Sequence, residues 1–170
     1  MFLRTLVLMV LALTASSCQT LDHRVIEKSK KDRPEWLRKP YGGLRKTASN
    51  GFVLVYQKAD VQDLALGIDQ SRSQASAHFM KELLGDMIKN RQSYVSKSKK
   101  DQIEISRIGM NGLEQALQEA ALIRDIYFEK IQAVGQIQAE ESYRIYVLCR
   151  ISANDLKKAQ EQVEALWRQS

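Results

Sequence analysis

The sequence predicts an α+β domain: a small, mainly antiparallel sheet of about three strands, with a long helix and a C-terminal helix packed on one face. Three observations predict it. Tyr143, Ile145, Val147, Cys149 and Ile151 alternate with Arg144, Tyr146, Leu148 and Arg150, so one side is apolar and the other mixed, as in a strand of a sheet covered on one face. Apolar residues recur every three or four positions from Val61 to Met87, the period of an amphipathic helix. The order strand, long helix, short helix, strand, strand, helix sets helices beside a sheet.

The chain opens as a leader. Arg4 supplies a positive start, Leu6 to Leu13 form an apolar core, and Ala15-x-Ser17 has the small residues of a cleavage site. A membrane-spanning helix needs about 20 apolar residues, roughly twice the run from Leu6 to Ala15, so removal is expected rather than retention. Residues 19 to about 33 are rich in Lys, Arg, Ser and Asp and are expected to be a flexible tether, with a span of roughly 20 Å. Trp36, Leu37 and Tyr41 are too apolar for a linker and are expected to dock on the domain, with Pro40 and Gly42-Gly43 making a turn. The boundaries are therefore 1–17 for the signal peptide, 18–33 for the processed terminus and basic tether, and 34–170 for the domain.

Asn50-Gly51 signals a turn before a first strand at Phe52 to Tyr56. Asp60 is read as the N-cap of the long helix, with Val61, Leu64, Ile68, Arg72, Ala75, Phe79, Leu83 and Met87 inward. Arg72 interrupts that stripe, so a bend or a snorkelling arginine is expected there. Gly67 and Gly85 weaken the helix by up to about 1 kcal/mol each, and Ser71, Ala75 and Ser76 are small enough to let another element approach closely. The helix is expected to fade by residues 96–101. Asn111 is read as capping a short helix with Leu113, Leu117 and Ala120. Leu122 to Phe128 form the second strand, Tyr143 to Ile151 the third, and residues 136–141 a polar connection. Ser152-x-x-Asp155 is a capping box in Asp form, opening a helix with Leu156, Ala159, Val163, Leu166 and Trp167 inward.

Charge and cysteine usage narrow the function. Residues 24–46 carry nine basic and three acidic side chains, a surplus equal to the formal net charge of +6 of the whole chain. The excess thus belongs to the tether, where it meets lipid headgroups or wall anions. Nucleic-acid binding, which needs basic residues and stacking aromatics on a folded surface, is not expected. Cys18 and Cys149 are the two cysteines. Cys149 lies in an apolar strand and is read as a small core residue.

No catalytic constellation emerges. The two histidines, His23 in the tether and His78 beside the apolar helix face, are too few for a metal site, and no metal or cofactor is expected. There is no G-x-S-x-G elbow and no phosphate-binding glycine loop. Glu140-Glu141 and Asp125/Glu129 are carboxylate pairs read as exposed charge. Tyr127, Phe128, Tyr143 and Tyr146 would form a cross-strand cluster. They either pack under the helices or, for Tyr127 and Tyr146, line the open face as partner contacts flanked by Arg124, Arg144 and Arg150.

Ala15-Ser16-Ser17-Cys18 resembles a bacterial lipobox, which implies cleavage between Ser17 and Cys18 and a covalent lipid on Cys18. Two or three acyl chains there make attachment effectively permanent, since each buried methylene contributes about 0.8 kcal/mol. Gln19 after the cysteine, by resemblance to enteric lipoproteins, implies the outer membrane. With Pro34 and Trp36, the small-residue run Ser71 to Ala77, Ile126-Tyr127-Phe128-Glu129-Lys130 and Tyr143-Arg144-Ile145-Tyr146-Val147-Leu148, residues 34–152 resemble the LPP20 family of bacterial lipoproteins. Family members are envelope-attached without known catalysis; some are surface antigens and others form rings or disks around the flagellar motor. The resemblance implies a non-enzymatic, lipid-anchored interaction module that binds envelope proteins or copies of itself. A tethered module for peptidoglycan, another glycan or a small ligand is the alternative.

Overall fold

A computed structural model describes residues 23–38, 43–90, 102–117, 122–134 and 140–169. In chain order these form strands β1 (His23–Lys28), β2 (Arg45–Lys46) and β3 (Phe52–Val61), helices α1 (Leu64–Asn90) and α2 (Gln102–Leu117), strands β4 (Ile123–Ala133) and β5 (Glu141–Ile151), and helix α3 (Ala153–Gln169). A 3-10 turn at Glu35–Leu37 lies between β1 and β2. The fold is α+β: an open five-stranded antiparallel sheet in the order β1-β4-β5-β3-β2, with three helices.

Alternation on β5 sets the main core. Ile145, Val147, Cys149 and Ile151 are fully buried and face the helices, opposite Phe128, Ile126 and Ile123 on β4 and Tyr56, Leu54 and Phe52 on β3. Helix α1 lies on β3 and β5, and α2 packs against both α1 and α3. Phe79, Leu83, Leu113, Ala159 and Val163 close a continuous core with the sheet. At about 1.5–3 kcal/mol per buried large apolar side chain, this cluster is the principal stabilising element.

Two strands were not read from the sequence. The segment expected to be a flexible tether contains β1, antiparallel to β4 with His23 opposite Ala133 and Lys28 opposite Glu129. Its charged, exposed residues gave no alternating signal, because an edge strand can be held by backbone hydrogen bonds alone. β2 is two residues long and is fixed by its hairpin turn: Thr47 N–H donates to Gly51 O at 2.8 Å, Gly51 N–H to Thr47 Oγ1 at 3.0 Å, and Asn50 takes φ 59°.

Helix positions also shift. β3 continues through a bulge between Lys58 and Val61, where Asp60 has φ 55°, so Asp60 is not the cap. Asp63 is: Leu66 N–H donates to Asp63 Oδ1 at 2.9 Å. The buried line of α1 runs Gly67, Ser71, Ala75, Phe79, Leu83 and Met87, and Arg72 is exposed, so it interrupts nothing. The first half of the line, Gly67, Ser71 and Ala75, is small, and at Gly67 the helix sits so close to the sheet that a Cβ would meet the Val61 and Ile145 side chains. Asn111 lies inside α2 rather than capping it. The capping box of α3 forms, with Asp155 N–H donating to Ser152 Oγ at 3.1 Å and Ser152 Oγ to Asp155 Oδ2 at 2.7 Å.

The α2–α3 contact depends on two glycines. A Cβ at Gly109 would stand 3.1 Å from the Trp167 ring, and one at Gly112 would stand 2.9 Å from Leu166 and 3.1 Å from Val163. That approach lets Trp167 donate its indole N–H to Ile105 O at 3.0 Å. Gly112→Leu is expected to lower stability by about 1–3 kcal/mol through overpacking. Ser71→Ala should do the reverse, because the Ser71 hydroxyl is buried with no hydrogen-bond partner. Urea midpoints of the two variants, shifting in opposite directions, check this.

Candidate functional site

The sheet face away from the helices carries the sequence-predicted interaction residues. Directly opposite residues of antiparallel strands share a face, which gives five rows: Val25–Ile131–Ser142, Lys28–Glu129–Arg144, Tyr127–Tyr146–Gln57, Asp125–Leu148–Val55 and Arg150–Val53–Arg45. Tyr127, Ile131 and Tyr146 are buried yet stand outside the helix-side core. The chain that leaves β1 covers them.

Residues 29–38 form this strap. Ser29 N–H donates to Phe128 O at 3.0 Å, and Phe128 N–H donates back to Ser29 Oγ at 3.0 Å. Lys30 Nζ contacts both oxygens of Asp125 at 2.7 Å. Trp36 Nε1–H donates to Asp125 Oδ2 at 3.0 Å, so Trp36 docks as its apolar character predicted. Arg33 lies 3.6 Å from Glu129 Oε1, donates to Tyr146 OH at 3.4 Å and stacks its guanidinium 5.8 Å from the Tyr146 ring centroid. Tyr127 OH donates to Glu129 Oε1 at 3.1 Å, and the Tyr127 and Tyr146 rings lie 6.0 Å apart.

Asp125 and Glu129 are therefore not exposed surface charge, as expected from the sequence, but the two acceptors that receive the strap. Glu129 is 4% exposed. A buried carboxylate is strongly unfavourable unless paired, so Arg33 and Tyr127 are structurally required beside it. Burial pushes the Asp125 carboxyl up, but hydrogen bonds from Lys30 and Trp36, the Lys30 charge and the Ile126 N–H outweigh it and hold its pKa below the ordinary carboxylate value. Burial first, then the Glu129 charge, push the Tyr127 phenol up to about 12. Burial likewise raises the Cys149 thiol to about 11. At neutral pH both groups are protonated, so neither offers an anionic nucleophile or base.

The five named interaction residues divide. Tyr127 and Tyr146 lie on the face away from the helices, but beneath the strap rather than open to a partner. Arg144 stands opposite Glu129, with a buried Nε that has no hydrogen-bond partner. Arg124 and Arg150 lie beyond the strap and are exposed. They line a cleft of about 480 Å³ with Ser49, Leu148, Ser152, Ala153 and Asn154. A β-bulge makes this possible: Ile123 opposes Cys149 and Asp125 opposes Leu148, so Arg124 is an extra residue turned toward the face of Arg150. A second cleft of about 460 Å³ contains Lys81, Lys89, Glu82 and Asp86, whose charges balance.

Ser17, Cys18 and the leader lie outside the described residues, as do most of the β4–β5 connection and Ala120. Among the described residues, no group of three or more His, Cys, Asp or Glu side chains could hold a metal ion. No described helix is long and apolar enough to cross a membrane. Asp125, Glu129 and Arg33 were missed as a site because their partners are about a hundred residues away in sequence; the docking signal of Trp36 was the one local clue.

The strap predicts a pH and mutation response. The Asp125 pKa is lowered on folding, so its stabilisation is complete above about pH 4 and fades as pH falls through the folded value. Asp125→Ala should release the strap at neutral pH. Losing its charge-assisted hydrogen bonds, worth about 1.5 kcal/mol at the exposed end of the range, corresponds to a roughly tenfold larger open population. Limited chymotrypsin cleavage after Trp36 or Leu37 should accelerate accordingly in the variant and stay constant in the parent from pH 8 to 5.

No protein-family model, no curated protein and no solved structure matches this chain.

Proposed function

We propose that this chain is a lipid-anchored envelope protein of the LPP20-like kind, carrying diacylglyceryl and acyl chains on Cys18 and serving as a structural or protein-interaction module without catalysis of its own. The observation that carries the reading is the short distance between anchor and fold. Residues 19–22 separate Cys18 from the first residue of β1. Five Cα steps span at most about 18 Å, so the lipid holds the sheet itself, not a domain on a long leash. Permanent acyl insertion then confines the module to the outer-membrane surface, and the antiparallel pairing of β1 with β4 puts the Ala133 end of the sheet nearest the anchor.

The contact surface in this reading is the sheet face beyond the strap, not the sheet edges. β1 is charged and carries a bulge between Val25 and Glu27, and β2 is two residues long. Both devices discourage edge-to-edge pairing. The half-buried surface of Val53, Val55 and Leu148 beside the exposed Arg124 and Arg150 is left for envelope proteins or a second copy. Arg124 and Arg150, exposed and without an ion-pair partner among the described residues, also favour a second reading, an anionic peptidoglycan or glycan ligand held near the wall.

Cell fractionation tests the anchor. The parent chain should sediment with outer membranes and incorporate labelled palmitate, whereas Cys18→Ser should lose the label and move to the soluble fraction. Parent protein recovered free of membrane with an unmodified thiol would contradict the proposal.

A further inference from the structure

The Arg124–Arg150 cleft has no assigned ligand, and its chemistry is one-sided. Among the described residues, no acidic side chain lines it. Neither arginine has a hydrogen-bond or ion-pair partner among the described residues. Among the described residues, the carboxylates that flank the cleft along the chain are engaged, Asp125 by Lys30 and Trp36, and Asp155 by Ser152. Like charges on one face of adjacent strands are destabilising, and here a bulge in β4 brings them together rather than apart. At the α3 N-terminus, Ser152 Oγ already takes the Asp155 N–H, and the full charges that face the cleft are those of the two arginines. The arginines therefore carry the site, with Ser49 and Asn154 as polar rim and Leu148 as apolar floor.

We infer that this cleft binds a carboxylate-bearing acidic peptide segment of a partner protein. Guanidinium forks match carboxylates bidentately, and the apolar residues Leu148, Val55 and Val53 continue from the cleft along the sheet face to receive flanking aliphatic side chains. Position selects against a lipid headgroup. The cleft is at the Ile123 end of β4, whereas His23, nearest the anchor, pairs with Ala133 at the other end. Ten strand steps separate those ends by on the order of 30 Å. This step alone rests on the anchored reading, and it turns the cleft away from the bilayer.

The test is fluorescence anisotropy of a labelled Glu-Leu-Glu-Leu-Glu peptide with the full-length protein in detergent. Binding should be saturable, should weaken about tenfold in Arg124→Gln and in Arg150→Gln, and should be absent for the matching Gln-Leu peptide. Both variants should keep the parent melting temperature, since neither side chain has a hydrogen-bond or ion-pair partner among the described residues. No saturable binding, or binding unchanged in both variants, would overturn the inference. Equal competition by inorganic phosphate, or by phosphatidylglycerol vesicles in place of the peptide, would also overturn it and reassign the cleft to phosphate groups. Peptide binding by a chain that fractionates as soluble would preserve the cleft and remove the anchor reading.

Discussion

The structure depends on two carboxylates of one strand, Asp125 and Glu129, which receive the chain that leaves β1. They sit on the face that the helices do not cover, and each has donors from the strap: Lys30 and Trp36 for the first, Arg33 for the second. Without those donors, Glu129 would be a buried charge held by a single phenol, and the Tyr127–Tyr146 pair would lose its cover. The sheet would then have one packed face and one exposed aromatic face, an aggregation hazard. With them, a region whose composition is that of a disordered tether becomes part of the fold.

This constraint divides the sheet face into two regions of different character. Under the strap, Asp125 and Glu129 are paired and the Tyr127 and Tyr146 rings are covered. Beyond it, valines of β3, Leu148 and two exposed arginines remain open. The division is geometric in origin: the strap reaches Asp125, and there the β4 bulge interposes Arg124. The open region therefore lies at the Ile123 end of β4, opposite the end where His23 pairs with Ala133.

Much of the helix-side architecture was legible in the sequence. The alternation of β5, the capping box at Ser152 and Asp155, and the inward residues of α3 all follow from local patterns. What escaped was what local patterns do not encode. β1 has no apolar alternation, since it is held by backbone pairing at an edge. The buried line of α1 was legible over Ala75, Phe79, Leu83 and Met87, but not at its start, where Gly67 and Ser71 serve for smallness rather than apolarity. Tyr127 and Tyr146 were placed on a face by parity, but their burial comes from a segment about a hundred residues away. Arg124 belongs by strict alternation to the helix side, and only the bulge returns it to the other face.

Amide hydrogen exchange in the full-length protein tests the central claim most directly. Docking of the strap and β1 predicts slow exchange at Ser29 and Phe128, whose N–H groups are bonded to each other's residues, and at the β1 amides paired with β4. Exchange of residues 23–38 at the rate of an unstructured chain, with β3, β4 and β5 fully protected, would contradict it.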